Sequence, residues 1–145
     1  MRTDFSNCLT ATENLRVPFH DVDPAGVMWH GRYFKYFEQA RCSLFESFDY
    51  GYEAMVDSGF VWPVVDTSVR YVRPLRLNQR ATVTAALREW DMRLVVDYKV
   101  EDDDGCLYTK GRTVQVPIGV ESQALQLGSP EILLQKIEDR MKTLP

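Results

Sequence analysis

The stretch that decides the fold is Asp21-Val22-Asp23-Pro24-Ala25-Gly26-Val27-Met28-Trp29-His30, which runs on through Tyr33-Phe34-Lys35-Tyr36-Phe37-Glu38-Gln39-Ala40-Arg41. Pro24 and Gly26 beside a carboxylate spell a tight turn. From Tyr33 onward, Tyr33, Phe37, Ala40, Leu44 and Phe48 recur at intervals of three and four, the period of one helical face. Phe34 and Phe45 lie off that stripe, so the helix is apolar over much of its girth, which predicts a helix wrapped by a sheet. A helix start offers unpaired N–H groups and the positive end of a dipole. Such donors hold a developing oxyanion, while a carboxylate in the preceding turn activates a nucleophile.

Outward from this segment the pattern changes to strands. Leu15, Val17 and Phe19 predict a first strand ending at the Asp21–Gly26 turn, behind a polar and poorly ordered tail over residues 1–12. Asp49-Tyr50-Gly51 is read as the end of the long helix, with Gly51 in the left-handed cap. Strands are expected over 65–72, 81–88, 93–101 and 106–118, with Asp104-Gly105 as a hairpin turn. Ser129-Pro130-Glu131 reads as a helix start, and Leu133, Ile137, Met141 and Leu144 give a terminal helix over 129–145 its apolar stripe. One strand, one buried helix, four strands and a terminal helix make an α+β domain, with a curved antiparallel sheet around a central helix. The 145 residues are expected to form a single domain.

Composition narrows the function classes. The net charge of −4 argues against general nucleic-acid binding. Cys8, Cys42 and Cys106 include no C-x-x-C pair, so no disulfide framework or zinc cluster follows. The N-terminus lacks an apolar leader pattern, and no apolar run approaches membrane-spanning length, which predicts a reducing, cytoplasmic setting. No G-x-S-x-G elbow is present, which argues against an α/β-hydrolase.

The joined turn and helix resemble the active-site segment of hotdog-fold thioesterases of the 4-hydroxybenzoyl-CoA thioesterase type. The matching positions are Asp21, Asp23, Gly26, His30, Tyr33, Tyr36, Phe37, Glu38 and Arg41, and the likeness extends over roughly residues 13–118. It implies the hotdog fold and hydrolysis of an acyl-CoA or acyl-carrier-protein thioester, with coenzyme A as part of the substrate and no other cofactor or metal. By its place in the motif, Asp23 resembles the family's general base or nucleophile; a turn residue bonded to its own backbone is the plainer reading of the same Asp. Asp21 becomes a structural or supporting acid. His30 stands where a backbone N–H polarises the thioester carbonyl. Gly26, Trp29 and Tyr33 fall where substrate is bound, although helical spacing favours a core role for Tyr33. Glu38 and Arg41 are three apart and are expected to pair. A second hotdog branch uses a helix-borne acid after a His-Gly-Gly turn; His30-Gly31 with Glu38 echoes it, but Arg32 replaces its second glycine.

Arg70, Arg73, Arg76, Arg88 and Arg93 give the middle strands a basic bias, and Arg93 is ranked first for the CoA phosphates. Trp62, Trp90 and Met92 are expected in the core or an interface. Exposed sheet edges and the family's habits predict a homodimer at least, and a tetramer by preference. Two other classes compete. A hotdog dehydratase or hydratase needs a His–acid pair, and His20 and His30 are the only histidines. A non-catalytic acyl- or carrier-protein-binding module needs no catalytic Asp.

Overall fold

The computed structural model describes residues 2–144. Its main sheet has five strands in the order β1-β4-β5-β6-β3, all antiparallel: β1 (Thr10–Arg16), β3 (Val64–Tyr71), β4 (Arg80–Glu89), β5 (Leu94–Glu101) and β6 (Leu107–Gln115). The long helix α1 (Tyr33–Ser47) lies across one face, chiefly over β1 and β4. Ala81, Val83, Ala85 and Leu87 of β4 are buried beneath Phe37, Ala40, Leu44 and Phe45 of the helix. The small β4 side chains let the helix approach closely, and Gly111 of β6 does the same for Phe37: a Cβ there would meet the Phe37 ring at 2.6 Å. The expected α+β hotdog arrangement is therefore present.

Several elements depart from the expected outline. Thr10, Ala11 and Thr12 belong to β1, and the segment before them crosses the opposite face of the sheet. There Arg88 Nη2 donates to Asp4 O at 2.8 Å, and Lys99 Nζ donates to Thr3 O at 3.3 Å. Phe5 lies against both cations. This cover explains why β5 is buried on both faces, although its sequence alternates. Asp97, inside it, accepts from Arg88 and Arg112.

The left-handed residue after α1 is Asp49 (φ 59°), not Gly51. Beyond it come a short helix α2 (Tyr52–Asp57) and a two-stranded ribbon of β2 (Phe60–Val61) with β7 (Ile118–Gly119). These pieces are too short for periodicity to reveal. Helix α3 (Glu131–Met141) buries Leu133 and Ile137 in the main core. Pro130 occupies its cap position, and the Ser129 hydroxyl donates to Trp90 O instead of capping. At the far edge, β3 is exposed along nearly its whole length on both faces.

Candidate active site

The Asp21–His30 segment folds into a miniature hairpin. Trp29 N donates to Asp21 O at 2.8 Å, Val22 bridges Met28, and Asp23 N donates to Val27 O at 2.9 Å. Gly26 takes φ +81°, which its lack of a Cβ permits, and its N–H donates to Asp23 O at 2.9 Å. Met28 N donates to Leu75 O at 2.7 Å and ties the hairpin to the loop ahead of β4. The turn is thus held by backbone bonds at every level.

Two carboxylates on this hairpin have opposite surroundings. Asp21 is 1% exposed and accepts from Lys35 Nζ at 2.8 and 3.0 Å and from the Tyr36 hydroxyl, with Arg32 Nε at 3.5 Å. Burial pushes its carboxyl up, but the Lys35 and Tyr36 hydrogen bonds outweigh this and hold it below its ordinary value. Burial first, and then the Asp21 carboxylate, push the Tyr36 hydroxyl up. Asp21 is therefore the anchor that fixes the hairpin against α1. Asp23 is half-buried, and its Oδ1 accepts from Ala25 N at 2.9 Å, the turn-type bond that such an Asp makes. Asp23 Oδ2 enters no hydrogen bond among the described residues. One oxygen thus aims the carboxylate while the other remains available.

His30 opens the 3₁₀ turn His30–Arg32, which runs directly into α1. Trp29 caps it without a side-chain hydrogen bond, so the leading N–H groups carry no intrahelical or side-chain partner. Tyr71 at the end of β3 donates from its hydroxyl to His30 O at 2.7 Å and fixes this start from the sheet side. The His30 ring is exposed and lies 5.0 Å, centroid to centroid, from Trp29. Gly31 leaves room for the Trp29 ring: a Cβ there would lie 2.4 Å from Trp29 Cζ3, so a larger residue displaces the ring. Val27 stands level with Asp23 across the hairpin, and His30 lies three residues beyond Val27, roughly 10 Å along an extended strand. No hydrogen bond joins the two among the described residues.

Other expected site residues fall elsewhere. Tyr33 is in the core, its ring edge-on to Tyr71 at 5.1 Å. Glu38 and Arg41 do not pair: Arg41 Nη1 donates to Tyr98 OH at 3.3 Å, and Glu38 is exposed. Helical spacing permitted the pair, but the buried Tyr98–Thr113 hydroxyls offer Arg41 a better-ordered partner. Arg93 is bound to Glu89 (2.7 Å) at the far end of β4 and β5 from the Asp23 turn. Both Glu38 and Arg41 line a cavity of about 480 Å³ between α1, α2 and the β2–β7 ribbon. Sequence reasoning missed this cavity, because the elements that close it were not visible. Among the described residues no group of three His, Cys, Asp or Glu side chains is placed to hold a metal ion, and no helix is long and apolar enough to cross a membrane.

The helix and the sheet wrapped around it together define the hotdog fold. The chain belongs to the Thioesterase-like superfamily, whose family model matches residues 17–137. A Synechocystis protein named as a candidate esterase is 36% identical over 75 residues, covering 52% of this chain but only 45% of that relative's length. A candidate acyl-CoA thioesterase of Bacillus subtilis is 24% identical over 111 residues, covering 76% of this chain and 80% of the relative. A Staphylococcus aureus protein solved in complex with CoA superposes with a TM-score of 0.83 at 18% identity, over 95% of this chain and 87% of that one.

Proposed function

We propose that this chain hydrolyses acyl-CoA thioesters with Asp23 as the reacting carboxylate. The observation that carries this reading is the division of labour in the hairpin. Asp21 is wholly committed to Lys35 and Tyr36, whereas Asp23 keeps one oxygen free on the hairpin that leads into an uncapped helix start. In the general-base form, Asp23 takes a proton from water as the water oxygen bonds to the thioester carbon. The leading N–H groups at His30 hold the oxyanion. The C–S bond then breaks, and the thiolate leaves with the proton returned by Asp23. In the nucleophilic form, the carboxylate itself displaces the thiolate to give a mixed anhydride, which water opens. In a single turnover in heavy-oxygen water, label in the Asp23 carboxylate, placed there when water opens the anhydride at the Asp23 carbon, identifies the nucleophilic route.

The acting unit in this reading is a homodimer. Strand β3 is an exposed edge ending in Val64 and Val65 at one end and Tyr71 and Val72 at the other, all of them solvent-facing. Such an edge invites pairing. Antiparallel pairing of β3 with its twofold mate exchanges these ends. The partner's Tyr71 end, which carries its His30 and Asp23 turn, then meets the Val64 end of this chain, where Trp62, Pro63 and Gln115 line the cavity. The acyl group enters that cavity while its carbonyl stays at the partner's turn. Arg93 precedes Leu94, which pairs with Gln115, so it lies at the same end of the sheet and is the cation this reading assigns to the CoA nucleotide. A second pairing of dimers gives the tetramer.

The test is thiol release from a panel of short, long, branched and aromatic acyl-CoAs by the parent protein and Asp23→Asn. We expect turnover by the parent and a kcat lower by roughly 10²–10⁴-fold in the variant. Parent-like turnover by correctly assembled Asp23→Asn would remove Asp23 from the mechanism.

A further inference from the structure

Strand β3 carries a charge pattern that its own sheet does not satisfy. Arg70 stands directly opposite Lys110 of β6, and Lys110 directly opposite Lys99 of β5. These cations share the face of the sheet turned away from α1, where Lys99 also meets the N-terminal segment. Like charges directly opposite one another in a sheet are destabilising. Lys99 has Glu101 at 3.4 Å, but Arg70 and Lys110 have no ion-pair partner among the described residues. Asp66, on the same face of β3, has none either; Arg93 lies near it but is bound to Glu89 at 2.7 Å. Asp66 and Arg70 of one chain are roughly 14 Å apart along the strand, too far to pair with each other.

The backbone of this edge is equally specific. Val72 N donates to Tyr108 O at 2.9 Å, so by the alternation of an antiparallel strand Thr67, Val69 and Tyr71 turn their N–H and C=O groups to the open edge. A second β3 running antiparallel satisfies those groups. Opposed residues must then share a face, because Val69 and Tyr71 pack on the core while Asp66, Ser68 and Arg70 point away from it. Three registers near the middle of the strand meet this condition, with the twofold axis at Thr67, Ser68 or Val69. With the axis at Thr67, Arg70 meets Val64, and Tyr71 meets Pro63, which has no N–H to donate. With the axis at Val69, the Asp66 carboxylate lies against Val72, and Arg70 against Ser68. With the axis at Ser68, each Asp66 lies opposite the partner's Arg70, each Thr67 opposite the partner's Val69, and Ser68 opposite its own copy.

We propose that β3 pairs with its copy in the register centred on Ser68, and that the two Asp66–Arg70 pairs across the axis select it. This rests on the β3 homodimer of the reading above and supplies its alignment. Each pair brings the row of Arg70 and Lys110 the acid that its own chain lacks. The register also sets how far the partner's Tyr71, and the helix start that Tyr71 holds through His30, stand from Trp62 and Pro63 at the cavity of this chain. A slip to either neighbouring register moves that separation by two residues, roughly 7 Å. The charge pairs thus fix where the thioester carbonyl stands relative to the cavity, and so how much of an acyl chain reaches into it.

Cysteine substitutions in the full chain test the register. Ser68→Cys sets two thiols across the proposed axis with Cα atoms about 4.5 Å apart, within reach of a disulfide. Thr67→Cys and Val69→Cys do the same for the two rejected registers. Each variant is oxidised with diamide beside the parent protein, whose exposed Cys42 gives the background, and cross-links are read on non-reducing gels and mapped by peptide mass. We expect Ser68→Cys alone to cross-link above the parent. By sedimentation, Asp66→Arg and Arg70→Asp should each weaken the dimer roughly ten- to a hundredfold, and the two together should return it to within about threefold of the parent. Cross-linking through Thr67→Cys or Val69→Cys instead, or no recovery when both charges are exchanged, overturns the proposal and leaves the β3 homodimer standing. No cross-link in any of the three variants removes β3 as the contact altogether. Thiol release by the parent judges the catalytic reading separately: turnover with another register sinks only the register, and the proposed register without turnover sinks only the catalysis.

Discussion

Replacing each hairpin carboxylate by Asn should give opposite phenotypes two residues apart. Asp21→Asn removes the charge that receives Lys35 Nζ on both oxygens and the Tyr36 hydroxyl. The Asn carbonyl can keep one of these bonds, but its NH₂ faces a cation or a phenol proton. Charge-assisted hydrogen bonds contribute about 1.5–3 kcal/mol. Lys35 is 39% exposed and regains water, so the larger penalty of a stranded buried charge does not apply. The expected loss is about 2–3 kcal/mol, or roughly 6–10 °C in Tm for a chain of this size. Lys35→Met leaves buried Asp21 with only the longer Arg32 contact at 3.5 Å as a cation, and should cost somewhat more, about 3 kcal/mol. Asp23→Asn retains the acceptor for Ala25 N and should change stability by less than about 0.5 kcal/mol while turnover collapses. Thermal melts and urea titrations at one fixed protein concentration, beside thiol release, read both axes. If Asp21→Asn melts with the parent while Asp23→Asn melts about 10 °C lower, the roles assigned to the two acids are reversed.

Acid stability follows from the same groups. Asp21 and Asp97 both have carboxyls held below their ordinary value in the folded state, so their contribution is complete above the unfolded value of about 3.9 and is lost as pH falls through the lower folded values. Urea midpoints should therefore drop steeply below about pH 4, and less steeply in Asp21→Asn. Glu38→Gln, at an exposed position free of Arg41, should leave Tm unchanged and spare turnover; abolished activity with Asp23 intact would favour the helix-borne acid of the other hotdog branch. Val65→Lys on the open edge should yield monomer by light scattering and lower kcat/KM, whereas an unchanged assembly would exclude β3 as the contact. Arg93→Ala should raise KM for acyl-CoA, leave kcat near the parent value and have little effect on a short acyl-pantetheine. Equal losses on both substrates would give Arg93 a different job.

The sequence alone determined what local chemistry can specify. The period of Tyr33, Phe37, Ala40 and Leu44 specified a helix with one dominant apolar stripe, and alternation specified the three strands over 65–72, 81–88 and 93–101, because both patterns repeat often enough to exceed noise. Pro24 and Gly26 fixed the turn, since few backbones accommodate that pair. Candidate carboxylates were visible there too, and the family resemblance gave them different roles, but the physical cause of the difference was not visible. Asp21 and Asp23 are the same residue type two positions apart, and only Lys35 and Tyr36, 14 and 15 residues further on, separate the anchor from the free group. Arg41 likewise had a plausible neighbour in Glu38, yet it turns to Tyr98, 57 residues away. The cavity was hidden for the same reason. Two-residue strands and a six-residue helix carry no readable period, so the wall they form exists only once the chain has closed around α1.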